Sequence, residues 1–99
     1  TGVQTCALPI FDFSGPLVTA MTVAIQKHDP EAIVIPYLMS GGTDNKALAD
    51  LGIVGYGFSP LKLPADLDFF ALFHGVDERV PLSAIEFGVE VLNDFLQSI

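Results

Sequence analysis

The sequence predicts an α/β fold in which about two central strands are covered by three helices. Two short runs rich in β-branched residues, 32–38 and 53–58, are typical of strands buried in a sheet. Apolar residues at helical spacing precede, separate and follow these runs. Because strands that alternate with helices favour layered architectures, we expect the helices to pack on the two strands.

The length and the charge of the chain limit its size and its partners. A chain of 99 residues suffices for one small domain, and 12 acidic residues outnumber 4 basic ones. This acidic balance argues against nucleic acid as a partner. No apolar run reaches the roughly 18 residues of a membrane span, so we expect no membrane partner and a cytoplasmic location.

The first ten residues differ in character from the rest. Residues 1–10 carry no charge and no periodicity, and they resemble the translation of a widely used sequencing adapter. We therefore expect a non-native tail at 1–10, and we expect the native protein to extend upstream of residue 11. On this interpretation Cys6 says nothing about the redox compartment.

The first helix is expected at 15–28. Ser14 is a suitable N-cap and Pro16 suits the first turn. The predicted apolar face consists of Leu17, Val18, Met21, Ala24 and Ile25. Asp29 and the proline after it end the helix, and we expect His28 to be a solvated residue that complements the helix dipole.

A glycine-containing turn at 40–46 follows the first predicted strand and opens a second helix that Gly52 ends. The two glycines, Gly41 and Gly42, would let a ligand approach the backbone, and the N–H groups at a helix start attract anions such as carboxylates. The alternative is an ordinary turn capped by Thr43 or Asp44, and the residues alone leave both interpretations open.

The last helix is expected to begin at Pro81, after a long loop at 59–72. Its predicted buried stripe is Ile85, Val89, Leu92 and Leu96. The residues predicted to face water are Glu86, Glu90, Asn93 and Gln97.

The segment before this helix contains the strongest candidate for a functional site. His74 stands between an apolar run and a cluster of charge that includes Asp77 and Glu78. Neutral imidazole is a common zinc ligand, and nearby carboxylates can orient the ring. A catalytic zinc site needs at least three protein ligands, so either the site is completed elsewhere or His74 is structural.

The order of several motifs resembles the C-terminal end of the zinc metallopeptidases of the M-twenty family (clan MH). That family includes glutamate carboxypeptidase, aminoacylase, acetylornithine deacetylase and succinyl-diaminopimelate desuccinylase. The motifs are Pro36-Tyr37, Ser40-Gly41-Gly42-Thr43-Asp44, Gly52-Ile53, Gly57-Phe58-Ser59-Pro60 and His74-Gly75-Val76-Asp77-Glu78. The resemblance implies that residues 11–99 are the C-terminal part of a catalytic domain.

For the metal site, the resemblance implies two zinc ions held by two histidines and three carboxylates, with a separate glutamate as general base. The family's last histidine ligand lies in a His-x-x-Asp/Asn-Glu pattern, which corresponds to His74 followed by Asp77 and Glu78. His74 is then a zinc ligand, and the two acidic residues are assigned to orientation and loop structure.

For the substrate, the resemblance implies that Gly41, Gly42 and Thr43 hold a carboxylate. Relatives often carry arginine near the position of Lys46, and a lysine would recognise a carboxylate less strictly than arginine's bidentate fork. The implied reaction is hydrolysis of a peptide or an N-acyl amino acid with a free carboxylate.

The remaining catalytic equipment is expected upstream, so the 99-residue chain is expected to be inactive alone. The other ligands, the general base and a lid domain through which relatives dimerise would all precede residue 11. The alternative function is a non-enzymatic anion-binding module, in which 41–44 form the cradle and His74 is structural.

Overall fold

The computed structural model of the chain describes residues 13–38 and 41–99. Within them, three α-helices form: α1, Pro16–His28; α2, Asn45–Asp50; and α3, Leu82–Ser98. A single 3-10 turn, Phe70–Leu72, lies between α2 and α3. The three predicted helices are thus confirmed, while the predicted adapter-derived tail at 1–10 lies outside the described residues.

The predicted α/β fold is wrong, because the described residues contain helices but no strand and therefore no sheet. The run 32–38 is largely exposed, and Ile33 keeps 85% of its surface, whereas Tyr56 and Phe58 of the second run are partly buried against the helical core. In the described part of the chain, the N–H of Ala32 donates to the carbonyl of Asp29 and that of Ile53 to the carbonyl of Leu48, so neither bond joins one run to the other. A strand needs a neighbour's N–H and C=O groups, and β-branched residues alone do not supply them.

Helix α1 and its N-cap each lie one residue later in the chain than predicted. The N-cap is Gly15, not Ser14, and its φ of 124° is one that glycine adopts without strain. Pro16 follows at the first helical position, where a missing N–H costs nothing. The predicted apolar face is confirmed by the buried residues Val18, Met21 and Ala24.

Helix α3 buries a different face from the one the sequence predicts. Its buried residues are Ala84, Gly88, Val91 and Phe95. The predicted stripe is exposed instead, as the exposed fractions of Ile85 (42%), Val89 (61%), Leu92 (38%) and Leu96 (61%) show. The predicted water-facing residues are exposed, as expected.

The small residues on the buried face of α3 explain this orientation. A Cβ atom on Gly88 would lie 2.9 Å from the carbonyl oxygen of Pro60, so only glycine lets the 59–61 segment cross the helix so closely. The core beside this crossing contains Met21, Val91 and Phe95. Phe58 meets the ring of Phe95 edge-to-face at 5.2 Å and closes one side of the core.

Candidate functional site

His74 occupies a tight turn directly after the 3-10 turn. Its φ of 62° is in the left-handed region, which histidine adopts more readily than most residues other than glycine, asparagine and aspartate. Local hydrogen bonds close the turn: the N–H of Gly75 donates to the carbonyl of Leu72 at 3.0 Å, and that of Glu78 donates to the carbonyl of Gly75 at 3.3 Å. The backbone conformation of His74 is therefore fixed by its immediate neighbours.

The carboxylate of Glu78 contacts the backbone of the turn, and Asp77 takes part through its main-chain carbonyl. A carboxylate oxygen of Glu78 accepts the N–H of His74 at 3.3 Å, and the guanidinium of Arg79 donates to the carbonyl of Asp77 at 2.9 Å. The imidazole of His74 is exposed and makes no hydrogen bond or ion pair with any described residue. That Asp77 and Glu78 orient the imidazole of His74 stays a prediction. Glu78 does hold the main chain of His74.

A catalytic zinc site needs at least three protein ligands close together. Among the described residues, no group of three or more histidine, cysteine, aspartate or glutamate side chains is placed to hold a metal ion. The exposed imidazole of His74 has the chemistry of one nitrogen donor. The described residues could therefore supply one ligand to a zinc site, but they do not form a complete site.

The predicted carboxylate cradle lies on the surface at the start of α2. Gly41, Gly42 and Thr43 are exposed, and a Cβ on Gly42 would meet nothing within 4 Å. The hydroxyl of Thr43 accepts the N–H of Asn45 at 3.2 Å, and the Thr43 carbonyl accepts the N–H of Lys46 at 3.2 Å. Thr43 therefore stabilises the turn, as the ordinary-turn interpretation expects, while the glycine surface stays open to a ligand.

Four aromatic residues contact one another, and we call them the aromatic cluster: Tyr37, Phe69, Phe70 and Phe73. Ring centroids are 5.1 Å apart for Phe69 and Phe73, 5.4 Å for Phe70 and Phe73, and 6.0 Å for Tyr37 and Phe70. Our sequence reasoning missed this cluster, although three phenylalanines within five residues of one another just before His74 could have revealed it.

The aromatic cluster connects segments that are far apart in the chain. Phe73 directly precedes His74, and Tyr37 precedes Gly41 by four residues, a reach of about 14 Å at most. The contact between Tyr37 and Phe70 therefore brings the beginning of the cradle segment towards the histidine turn. No hydrogen bond or ion pair joins 41–46 directly to 74–78 in the described chain.

The second histidine, His28, is not the solvated residue that we expected. Its ring is half-buried, with Nε2 2.5 Å from a carboxylate oxygen of Asp94 and Nδ1 3.5 Å from one of Glu90. Lys27 Nζ lies 3.1 Å from the same Asp94 oxygen. Hydrogen bonds from His28 and then Lys27 lower the pKa of Asp94.

These contacts join the end of α1 to the last turns of α3. Residues 28 and 94 are 66 positions apart, so sequence reasoning missed the pair. The available signal was the spacing of Glu90 and Asp94, which places two carboxylates on one side of a helix. The cluster is assigned to structure, because it ties together the two helices that form the core.

One open cleft of about 310 Å³ lies beside the histidine turn, but it contains none of the predicted site residues. Its lining consists of Pro64, Asp66, Leu67, Arg79, Val80 and Pro81. In the described part of the chain, no helix is long and apolar enough to cross a membrane.

The described residues combine a two-helix core, an exposed histidine turn and an aromatic cluster beside that turn. No family model, no curated protein and no solved structure matches this chain. The resemblance to the M-twenty metallopeptidases therefore depends on the order and spacing of the motifs in the sequence.

Proposed function

We propose that this chain is the C-terminal part of a cytoplasmic di-zinc amide hydrolase of the carboxypeptidase or aminoacylase type. Its substrate would be a peptide or an N-acyl amino acid with a free carboxylate. The chain would contribute one metal ligand, His74, and a cradle for the substrate carboxylate at Gly41, Gly42 and Thr43. The other ligands and the general-base glutamate would come from residues upstream of this chain.

The observation that carries this proposal is the contact between Tyr37 and Phe70, at 6.0 Å between ring centroids. A hydrolase of this kind must hold the substrate carboxylate near the metal that polarises its amide. The contact supports such an arrangement, because it draws the segment before Gly41 towards the segment before His74.

The chemistry supplied by bound zinc is the activation of a water molecule and the polarisation of the amide carbonyl. The residues of this chain would position the reactants. His74 would present an imidazole nitrogen from a turn whose main chain is held by Glu78. The glycine N–H groups would bind the carboxylate, and Lys46 would add a positive charge without bidentate geometry.

The first experiment is to read the source DNA upstream of codon 11. An open frame that encodes a His-x-Asp motif and, further on, a Glu-Glu pair would supply the expected ligands and general base. A stop codon or an unrelated domain in that position would favour the non-enzymatic anion-binding module instead.

The decisive experiment uses the complete protein and compares His74→Ala with the wild type. We expect the variant to lose zinc and hydrolytic activity while its circular dichroism spectrum is unchanged, because one nitrogen donor is missing. Asp77→Asn is the graded control, since loss of a residue that only orients a ligand costs about tenfold to a hundredfold in metal affinity or activity. A full zinc complement and normal turnover in His74→Ala would refute the assignment.

A further inference from the structure

Helix α3 presents a second apolar face in addition to the one that it buries. Six apolar residues of the helix and its C-cap form this face, which we call the outer stripe: Leu82, Ile85, Val89, Leu92, Leu96 and Ile99. Their exposed fractions range from 38% for Leu92 to 72% for Leu82. Because an α-helix turns roughly 100° per residue, the outer stripe lies about a quarter-turn away from the buried face.

The spacing of the outer stripe is that of a coiled-coil seam. Its successive members are 3, 4, 3, 4 and 3 residues apart. This strict alternation is the pattern by which one helix packs along another, each apolar side chain inserting between side chains of the facing helix. A helix that packs on a globular core usually shows a wider apolar arc. The spacing therefore indicates that the surface that fits the outer stripe is another helix.

The outer stripe is complementary to itself when two copies of α3 run antiparallel. Its members are placed symmetrically about the point midway between residues 90 and 91. A twofold axis at that point would give three apolar layers: Leu82 with Ile99, Ile85 with Leu96, and Val89 with Leu92. Every member of the outer stripe would then meet another member across the interface.

The polar residues at the edge of the outer stripe also fit a second copy in this orientation. Glu86 and Asn93 are exposed and occupy positions that flank the seam. The same twofold axis would place Glu86 of one copy near Asn93 of the other, so that no carboxylate of α3 faces another carboxylate along this edge. Glu90 and Asp94 lie on a different side of the helix, where both contact His28.

The area of the outer stripe matches what a weak dimer needs. With these exposed fractions its members offer on the order of 100 Å² each, so two copies would bury roughly 1,000 Å² in total. That is about the smallest area of a specific interface. The formal net charge of −8 on each copy opposes association, so we expect a dissociation constant of about 10 to 100 µM that decreases with added salt.

We propose that this chain forms an antiparallel twofold dimer in which α3 of one copy packs along α3 of a second copy through the outer stripe. The proposal goes beyond the proposed function and does not depend on it, because none of the residues of the outer stripe belongs to the candidate site. The interface is isologous, so it closes at two copies.

Sedimentation equilibrium of the 99-residue chain over a wide concentration range tests the proposal, with a reductant present so that Cys6 cannot link two copies. Val89→Glu should weaken the dimer at least about tenfold, because the new carboxylate would face Leu92 of the other copy in an apolar layer. Gln97→Glu is the matched control: it adds the same charge at an exposed position of α3 outside the outer stripe, and should leave the dissociation constant unchanged. Unchanged circular dichroism would show that both variants are folded.

Asn93→Lys tests the antiparallel orientation. The new lysine would face Glu86 of the other copy, and this contact would occur twice in each dimer. We therefore expect the dissociation constant to decrease about three- to fivefold at low salt, as two exposed ion pairs would give. Adding Glu86→Gln to this variant should abolish the gain, although it makes each copy less negative.

Three results would overturn the proposal. A chain that stays monomeric at all concentrations would leave the outer stripe to another occupant, such as residues upstream of this chain. Association that persists in Val89→Glu would assign it to another surface, such as the exposed run 32–38. Species larger than a dimer would contradict the closed twofold arrangement. A dimer that is lost in Val89→Glu, kept in Gln97→Glu and strengthened by Asn93→Lys would support it.

Discussion

Replacement of Gly88 by alanine tests the packing of α3 directly. The new Cβ would lie 2.9 Å from the carbonyl oxygen of Pro60 and 3.4 Å from a methyl carbon of Leu61. Alanine gains about 1 kcal/mol over glycine in a helix interior, and overpacking of a close contact costs about 1 to 3 kcal/mol. Because the nearest atom belongs to the backbone and cannot rotate away, we expect a net loss of stability of about 1 kcal/mol.

The assay is urea unfolding followed by far-ultraviolet circular dichroism, with the free energy of unfolding compared between variants. Ser83→Ala is the control, because Ser83 is exposed on the same helix and should gain a few tenths of a kcal/mol from helix propensity alone, roughly. If Gly88→Ala is instead more stable than the wild type by about 1 kcal/mol, the 59–61 segment does not cross α3 at this residue.

Three further perturbations test other parts of the structure. Asp94→Asn should lower the free energy of unfolding at neutral pH and make it depend less on pH in acid. The pKa of Asp94 is lowered in the folded state, so the stabilisation by this carboxylate is present above its unfolded-state pKa. That stabilisation is lost as the pH falls through the folded-state pKa. Leu92→Gln should change the free energy of unfolding by about 0.5 kcal/mol or less, whereas Val91→Ala should cost about 2 kcal/mol, because Leu92 is partly exposed and Val91 is fully buried. His74→Gly should raise stability by up to about 1 kcal/mol, since it relieves a left-handed backbone.

Each of these predictions has a contrary result. The free energy of unfolding can be measured at several acid pH values. If it depends on pH as steeply in Asp94→Asn as in the wild type, the His28–Asp94 contact does not stabilise the protein. Similar losses for Leu92→Gln and Val91→Ala would mean that α3 turns the stripe predicted from the sequence inward. A loss of stability in His74→Gly would show that the histidine side chain contributes more to the turn than its backbone strain costs.

The sequence identified the segments of the candidate site but did not show how they are arranged in space. His74 and its two acidic neighbours stand out because they adjoin a cluster of charge in a chain with few charges elsewhere, and Gly41 and Gly42 stand out as a turn. Their relation in space depends on the contact between Tyr37 and Phe70, which are 33 positions apart (70 − 37) and carry no pattern that pairs them. Packing between distant residues follows from shape and burial, and spacing along the chain does not encode it.

The sequence by itself located the helices, although α1 and α3 each begin one residue later than predicted, at Pro16 and Leu82. Proline at the first position of α1, Asp29 after its last turn and Gly52 after α2 act through local backbone geometry, which the nearest residues decide. The inward face of α1 was also determined, because most of its large apolar residues lie on one side, with Val23 as an exposed exception.

Only the tertiary structure decided which face of α3 is buried and whether the two β-branched runs form strands. Helix α3 has two adjacent apolar sides, and Gly88 lets the 59–61 segment approach one of them more closely than a larger side chain would allow. The runs at 32–38 and 53–58 have strand-like composition, but a strand exists only where another strand hydrogen-bonds to it. Local preference is a property of a few neighbouring residues, whereas close approach and strand pairing require a partner elsewhere in space.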